Sequence, residues 1–174
     1  VQHELLGQGV DQFIQAKAEE LQRRHAKYSG TVSVMEPNVK ESPGGLRDYH
    51  TALWVGAIRV GARSLDDLVA AGIIAVAEQQ AVAQAYEFLL RVRTDLHLAQ
   101  QWKTDVLAIE VQADTAARLG YDGNATGLPV ERFMREYYRQ ARVIYYLCAS
   151  VLNRCRPHER GIGKVLEYMS RKEL

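Results

Sequence analysis

Charge imbalance is the first thing the sequence lacks. Lys and Arg number 22 against 21 Asp and Glu, a formal net charge of +1. No global basic field exists to hold nucleic acid or an anionic membrane, so any anion affinity falls to local clusters. No apolar run approaches the ~20 residues that span a bilayer, and the N-terminus lacks a signal-peptide pattern. Neither nucleic acid nor membrane is therefore an expected partner. Cysteine is scarce. Cys148 and Cys155 stand seven residues apart on one predicted helix, a Cα separation of about 10 Å that no disulfide bridges. Free thiols fit a reducing compartment, and the cytoplasm is the expected location. A chain opening on Val1 rather than Met is expected to be a piece of a longer protein.

The motifs of self-contained enzymes are missing too. There is no P-loop, no GxGxxG after a strand and no G-x-S-x-G elbow. His3, His25, His50, His97 and His158 include no i, i+4 pair and no Cys–His zinc spacing, so no metal site is expected. No catalytic residue is predicted in the chain taken alone.

What is present is a globular composition, 47% hydrophobic and 25% charged over 174 residues, enough for one domain burying roughly 70% of its unfolded surface. Apolar residues recur at helical spacing almost throughout. The pattern predicts a helix from about Asp11 to Tyr28, ending in Arg23, Arg24, His25 and Lys27, where cations suit the macrodipole. Thr31 to Met35 alternates around Val32 and Val34 and is the one strand candidate. Further helices are predicted over Leu46–Gly61, from Ser64 (with Asp67 in capping-box position) to Gly72, and over Ala75–Lys103, Glu110–Leu119 and Pro129–Asn153. Arg160–Leu174 reads as a short terminal helix or tail. The fold class is all-α: a multi-helix bundle, one domain over 1–174, with an irregular Pro/Gly-rich loop at 29–46 and a glycine-rich loop at 120–129.

The irregular loop is the exception in the chain. Glu36-Pro-Asn-Val-Lys-Glu-Ser-Pro-Gly-Gly-Leu-Arg-Asp48 packs two prolines, a Gly-Gly pair and five charges into thirteen positions. Such a run specifies an irregular turn before a helix begins near Leu46. A helix starting after Gly45 points N–H groups at the loop and is expected to form an anion site. Lys40 supplies a point charge for phosphate and Arg47 a planar fork. Glu36, Asn38, Gly44, Gly45 and Asp48 are assigned to orienting the loop. The competing reading is a self-satisfied network, with Asp48 capping the helix and Glu36 paired to Arg47. Arg93, His97 and nearby Asp95 read as a polar group at the core edge. Tyr137, Tyr138, Tyr145 and Tyr146, with Trp54 and Trp102, read as core and rim packing.

These residues carry a resemblance. Arg24-His25, Gly30-Thr31, the 36–48 run, His50-Thr51 and Trp54-Val55 resemble the helical region of the bacterial protein-PII uridylyltransferase/uridylyl-removing enzyme family. The likeness continues through Ser64–Leu68, Arg91-Val-Arg93, Leu96-His97, Arg118–Tyr121, Val130–Met134 and Tyr138-Arg139. It implies a helical region beside a nucleotidyltransferase domain that carries a Gly-Ser motif and paired acidic residues, followed by an HD hydrolase domain and ACT domains. Those other motifs are missing from this chain. The resemblance further implies UMP transfer from UTP, with Mg²⁺, to the PII signalling protein. UTP and Mg²⁺ are expected for the parent enzyme, and no cofactor for this chain. The implied partners are the nucleotidyltransferase domain of the same parent chain and the PII protein, with Lys40 and Arg47 near the triphosphate. A regulatory protein-interaction module without nucleotide contact is the alternative.

Overall fold

The computed structural model describes residues 2–100, 104–121 and 127–156, with side chains from Gly7 onward. Six helices follow in order: α1 (Gln2–Ala26), α2 (Leu46–Val60), α3 (Leu65–Ala70), α4 (Val76–Ala99), α5 (Ile109–Arg118) and α6 (Pro129–Cys155). Among the described residues there is no strand, only an isolated antiparallel bridge between Asn38 and Val106. The fold is the all-α bundle that the helical periodicity predicts.

The longest helix, α6, is its axis. Phe133, Tyr137, Ala141, Ile144, Cys148, Val151 and Cys155 are buried, and their spacing of three or four residues places them on one face. That face packs against α2, α4 and α5, and α1 closes the remaining side. Leu89, Val92 and Leu96 of α4 and Ala52 and Val55 of α2 complete the core without solvent exposure. Each of the Val, Leu, Ile and Phe side chains among these contributes about 1.5–3 kcal/mol by leaving water. Tyr137 and Tyr145 are buried and Tyr146 is exposed, a division into core and rim.

Helix ends follow local chemistry. Gly61 takes a left-handed conformation after α2, φ 72°; its N–H donates to the Ala57 carbonyl at 3.0 Å and the Ala62 N–H to the Gly56 carbonyl at 3.4 Å, as around a C-terminal glycine. Ser64 Oγ accepts from the Asp67 N–H, 3.2 Å, while Asp67 accepts from the Arg63 N–H, 2.7 Å, one residue earlier than a capping box requires. Glu78 reaches back to the Ala75 N–H. Pro129 opens α6.

Two expectations need correction. Helix α1 begins at Gln2 rather than near Asp11; Gly7 and Gly9 face open space, where glycine weakens a helix without stopping it. Thr31–Met35 forms no strand. Its carbonyls are taken by side chains instead: Tyr138 Oη donates to Val34 O, 2.9 Å, and Gln112 Nε2 to Met35 O, 2.8 Å. Trp102, Lys103, His3, His158, residues 122–126 of the 120–129 loop and the Arg160–Leu174 tail lie outside the described side chains.

Candidate functional site

The loop before α2 is tied at every turn. Asn38 Oδ1 accepts from the Lys40 and Glu41 N–H groups at 3.1 and 2.8 Å, an Asx turn of the kind Asn favours. Ser42 Oγ accepts from the Asn38 N–H, 2.8 Å. Leu107 N–H donates to Pro37 O, 2.9 Å, and Val39 N–H to Asp105 O, 2.7 Å, which fastens the loop to the segment between α4 and α5. Glu36 accepts from the Ile109 N–H at the start of α5, 2.9 Å. The proposed Glu36–Arg47 pair is therefore not formed.

The Gly-Gly pair lets backbone meet backbone. Gly44 has φ 76°, and a Cβ there would overlap the Ala141 carbonyl of α6. A Cβ on Gly45 would lie 2.8 Å from the Lys40 and Val39 carbonyl oxygens. Space alone requires glycine at both positions.

Beneath the loop sits Asp48, with no solvent exposure. Its carboxylate accepts from Arg24 Nη1 at 2.6 Å, His25 Nε2 at 2.9 Å and the Gly44 N–H at 2.8 Å. The last contact ties Asp48 to the residue before the Gly45 N-cap, which itself has no side-chain cap. The other two make Asp48 the anchor of α1. Arg24 and His25 are 7% and 8% exposed, so half of the basic patch at the end of α1 turns inward. His25 also stacks on Tyr145, centroids 5.7 Å apart.

The expected backbone anion site at the start of α2 does not exist. Leu46 N–H donates to Val39 O at 3.0 Å, Arg47 N–H to Lys40 O at 2.9 Å and Asp48 N–H to Gly45 O at 3.0 Å. The loop folds back and takes these donors itself. Anion affinity is left to side chains.

Lys40 and Arg47 are brought together, both half-exposed, around Glu41. Arg47 Nη2 lies 3.3 Å and Lys40 Nζ 3.7 Å from Glu41 Oε1, and Arg24 Nε lies 3.8 Å from Oε2. The cationic surface continues onto α2 and α4. Burial, then the charges of Arg47 and Arg93, push the His50 imidazole below its ordinary pKa, which places all three groups in one field. Arg93 Nε and His97 Nε2 both donate to Asp105, at 2.7 and 2.9 Å. Asp95, assigned to that pair from sequence, instead receives Arg118 Nε at 2.8 Å. Beside the cations, Tyr49 stacks on Tyr86 with centroids 4.2 Å apart, and His50 stacks on the partly exposed Trp54. Lys17 Nζ sits 4.9 Å from the Trp54 ring centroid.

Sequence reasoning missed the inward role of Arg24 and His25, and it missed Asp105. The Arg24-His25 pair had one signal, its place in the resemblance; Asp105 had none. Among the described residues no group of three or more His, Cys, Asp or Glu is placed to hold a metal ion, so Mg²⁺ does not fit this chain's described residues, and no step is derived through it.

A family model described as GlnD PII-uridylyltransferase matches residues 12–152. A bifunctional uridylyltransferase/uridylyl-removing enzyme of Pseudomonas aeruginosa (strain LESB58) is 44% identical over 133 residues, which are 76% of this chain and 15% of that protein. The enzymes of the same name from Azotobacter vinelandii and Hydrogenovibrio crunogenus are 42% identical over 127 residues and 39% over 137, covering 73% and 76% of this chain and 14% and 15% of theirs. The chain thus spans about one seventh of the length of these relatives. No solved structure matches it significantly. The tied loop, the glycines against α6 and most of the helical residues around them lie within the matched span: the chain belongs to the GlnD PII-uridylyltransferase family.

Proposed function

We propose that the chain is the helical domain of a nucleotidyltransferase that moves UMP from UTP to a regulatory protein, the PII protein being the acceptor the family description suggests. On this reading the domain is not catalytic alone. It presents Lys40 and Arg47 to the nucleotide phosphates and holds a neighbouring nucleotidyltransferase domain in position. The observation that supports it is the pair of half-exposed cations, Lys40 on a loop whose backbone is tied off and Arg47 in the first turn of α2 that the loop leads into. Preorganised cations bind phosphate without the cost of ordering the loop. UTP and Mg²⁺ belong, on this reading, with the rest of the parent enzyme.

In the parent enzyme, Lys40→Ala and Arg47→Ala are each expected to raise KM for UTP by about 10- to 100-fold, the size of one charge-assisted hydrogen bond. Melting temperatures should stay near the wild-type value, because both side chains are half-exposed. Unchanged KM and kcat in both variants would sink the reading.

A second reading, a protein-interaction module with no nucleotide contact, is favoured by Trp54, Ile58 and Val60, which are exposed along α2. If it holds, Trp54→Ala weakens domain or partner association and leaves UTP kinetics alone.

A further inference from the structure

Ion pairs elsewhere in the molecule are short. Arg59 meets Asp11 at 2.6 Å, Arg93 meets Asp105 at 2.7 Å and Arg118 meets Asp95 at 2.8 Å. Glu41 differs: it faces three cations, and its contacts run from 3.3 to 3.8 Å. Two oxygens in one plane do not close three directions at once. Arg24 shows the shortfall, since its buried Nε and Nη2 have no hydrogen-bond partner among the described residues. A buried donor left in this state is costly and calls for an acceptor.

Charge points the same way. Asp48 compensates Arg24 at 2.6 Å. Without Glu41, Lys40 and Arg47 have no ion-pair partner within 4 Å among the described residues. Glu20, bonded to Lys17, faces Arg24 and Arg47 only through their field, so the focus stays cationic and suits a phosphate. A phosphate group has three or four oxygens in a tetrahedral array, enough to meet donors that arrive from three sides. The Glu41 N–H is held by Asn38 Oδ1, so its half-exposed side chain swings out by rotation about its own χ bonds while the loop stays in place.

We infer that Glu41 is a placeholder, occupying an anion site formed by Arg24, Lys40 and Arg47, and that a phosphate of a nucleotide or polyphosphate displaces it on binding. This rests on the reading of Lys40 and Arg47 as phosphate-facing and adds a built-in competitor to it. The carboxylate keeps the cations from repelling one another in the empty state and lowers affinity for every anion that does not outbid it.

The test is calorimetric titration of the chain with inorganic pyrophosphate, and separately with UTP, for wild type, Glu41→Gln, Lys40→Ala and Arg47→Ala. Circular dichroism melts check that each variant is folded, and Glu41→Ala serves as a second removal of the charge. Displacement predicts that Glu41→Gln binds pyrophosphate about tenfold tighter, the effect of removing one like charge at a partly exposed site. It also predicts that each cation variant binds at least about tenfold weaker. Stronger binding of UTP than of pyrophosphate assigns the site to a nucleotide; equal binding assigns it to polyphosphate. If the cation variants lose affinity while both Glu41 variants gain none, the placeholder is overturned and the proposed function stands. If the cation variants bind as wild type does, both fall.

Discussion

Replacing Asp48 by Ala is the sharpest test of how the loop is held. The carboxylate has no exposure, and it receives Arg24, His25 and the Gly44 N–H at 2.6, 2.9 and 2.8 Å. Removing it leaves the Arg24 cation in a site nearly closed to water, with only the more distant Glu41 carboxylate, 3.8 Å from Nε, to offset its charge. Breaking a buried pair in this way costs about 3–5 kcal/mol. The orphaned Gly44 N–H adds about 1 kcal/mol or more. A domain of this size has roughly 5–15 kcal/mol of stability to lose, so a loss of about 4 kcal/mol leaves a folded but weakened protein. In urea, with a slope of about 2 kcal/mol per molar, the midpoint falls by about 2 M. The companion variant removes both charges, Arg24→Met with Asp48→Leu. Apolar replacement of a whole buried pair is often close to neutral, so the double variant is expected to recover more than half of the loss. A loss under about 1 kcal/mol for Asp48→Ala, or single losses that simply add in the double variant, would refute the argument.

Two further outcomes follow from the same loop. Gly44→Ala combines a left-handed φ with overlap on the Ala141 carbonyl and is expected to cost about 3 kcal/mol or more. Gly61→Ala, also left-handed but facing open space, should cost only about 1–2 kcal/mol; equal urea midpoints for the two would remove the close approach from the explanation. Asp105 gives a pH signature. Burial pushes its carboxyl up, but hydrogen bonds from Arg93 and His97 outweigh this and hold it below the ordinary value. A depressed folded pKa contributes stability above the unfolded carboxylate value, near 4, and that contribution is lost as pH falls through the folded value. The urea midpoint should therefore drop below pH ~4, and Asp105→Asn should drop less over the same range. Parallel curves would show that Asp105 contributes nothing there.

The parts of this fold legible in the sequence are those set within a turn or two of chain. Helical periodicity found α2 and α6, and Gly61, Gly72 and Pro129 marked boundaries because their backbone preferences are local. Partners across the fold were not legible. Arg24 looked like a cation at a helix end, since nothing nearby in sequence shows that Asp48, 24 residues on, waits beneath the loop. Arg93 and His97 share a helix face by spacing and Asp95 lies nearby in sequence, yet Asp105 reaches them from the next segment. The amides at the start of α2 looked free because the loop's backward turn, which consumes them, is a property of three dimensions. Alternation in Thr31–Met35 predicted a strand, but alternation supplies no neighbouring strand to pair with.

The contacts that shape the loop come from Arg24, Asp105, Leu107, Ile109, Tyr138 and Ala141, spread across most of the described chain. A chain emerging from the ribosome therefore carries Lys40 and Arg47, with the loop's own turns around them, before the contacts from Asp105 onward are available. The close approach of Gly44 to the Ala141 carbonyl forms only when α6 docks. A change in α6 that moves the Ala141 carbonyl therefore reaches the loop through Gly44.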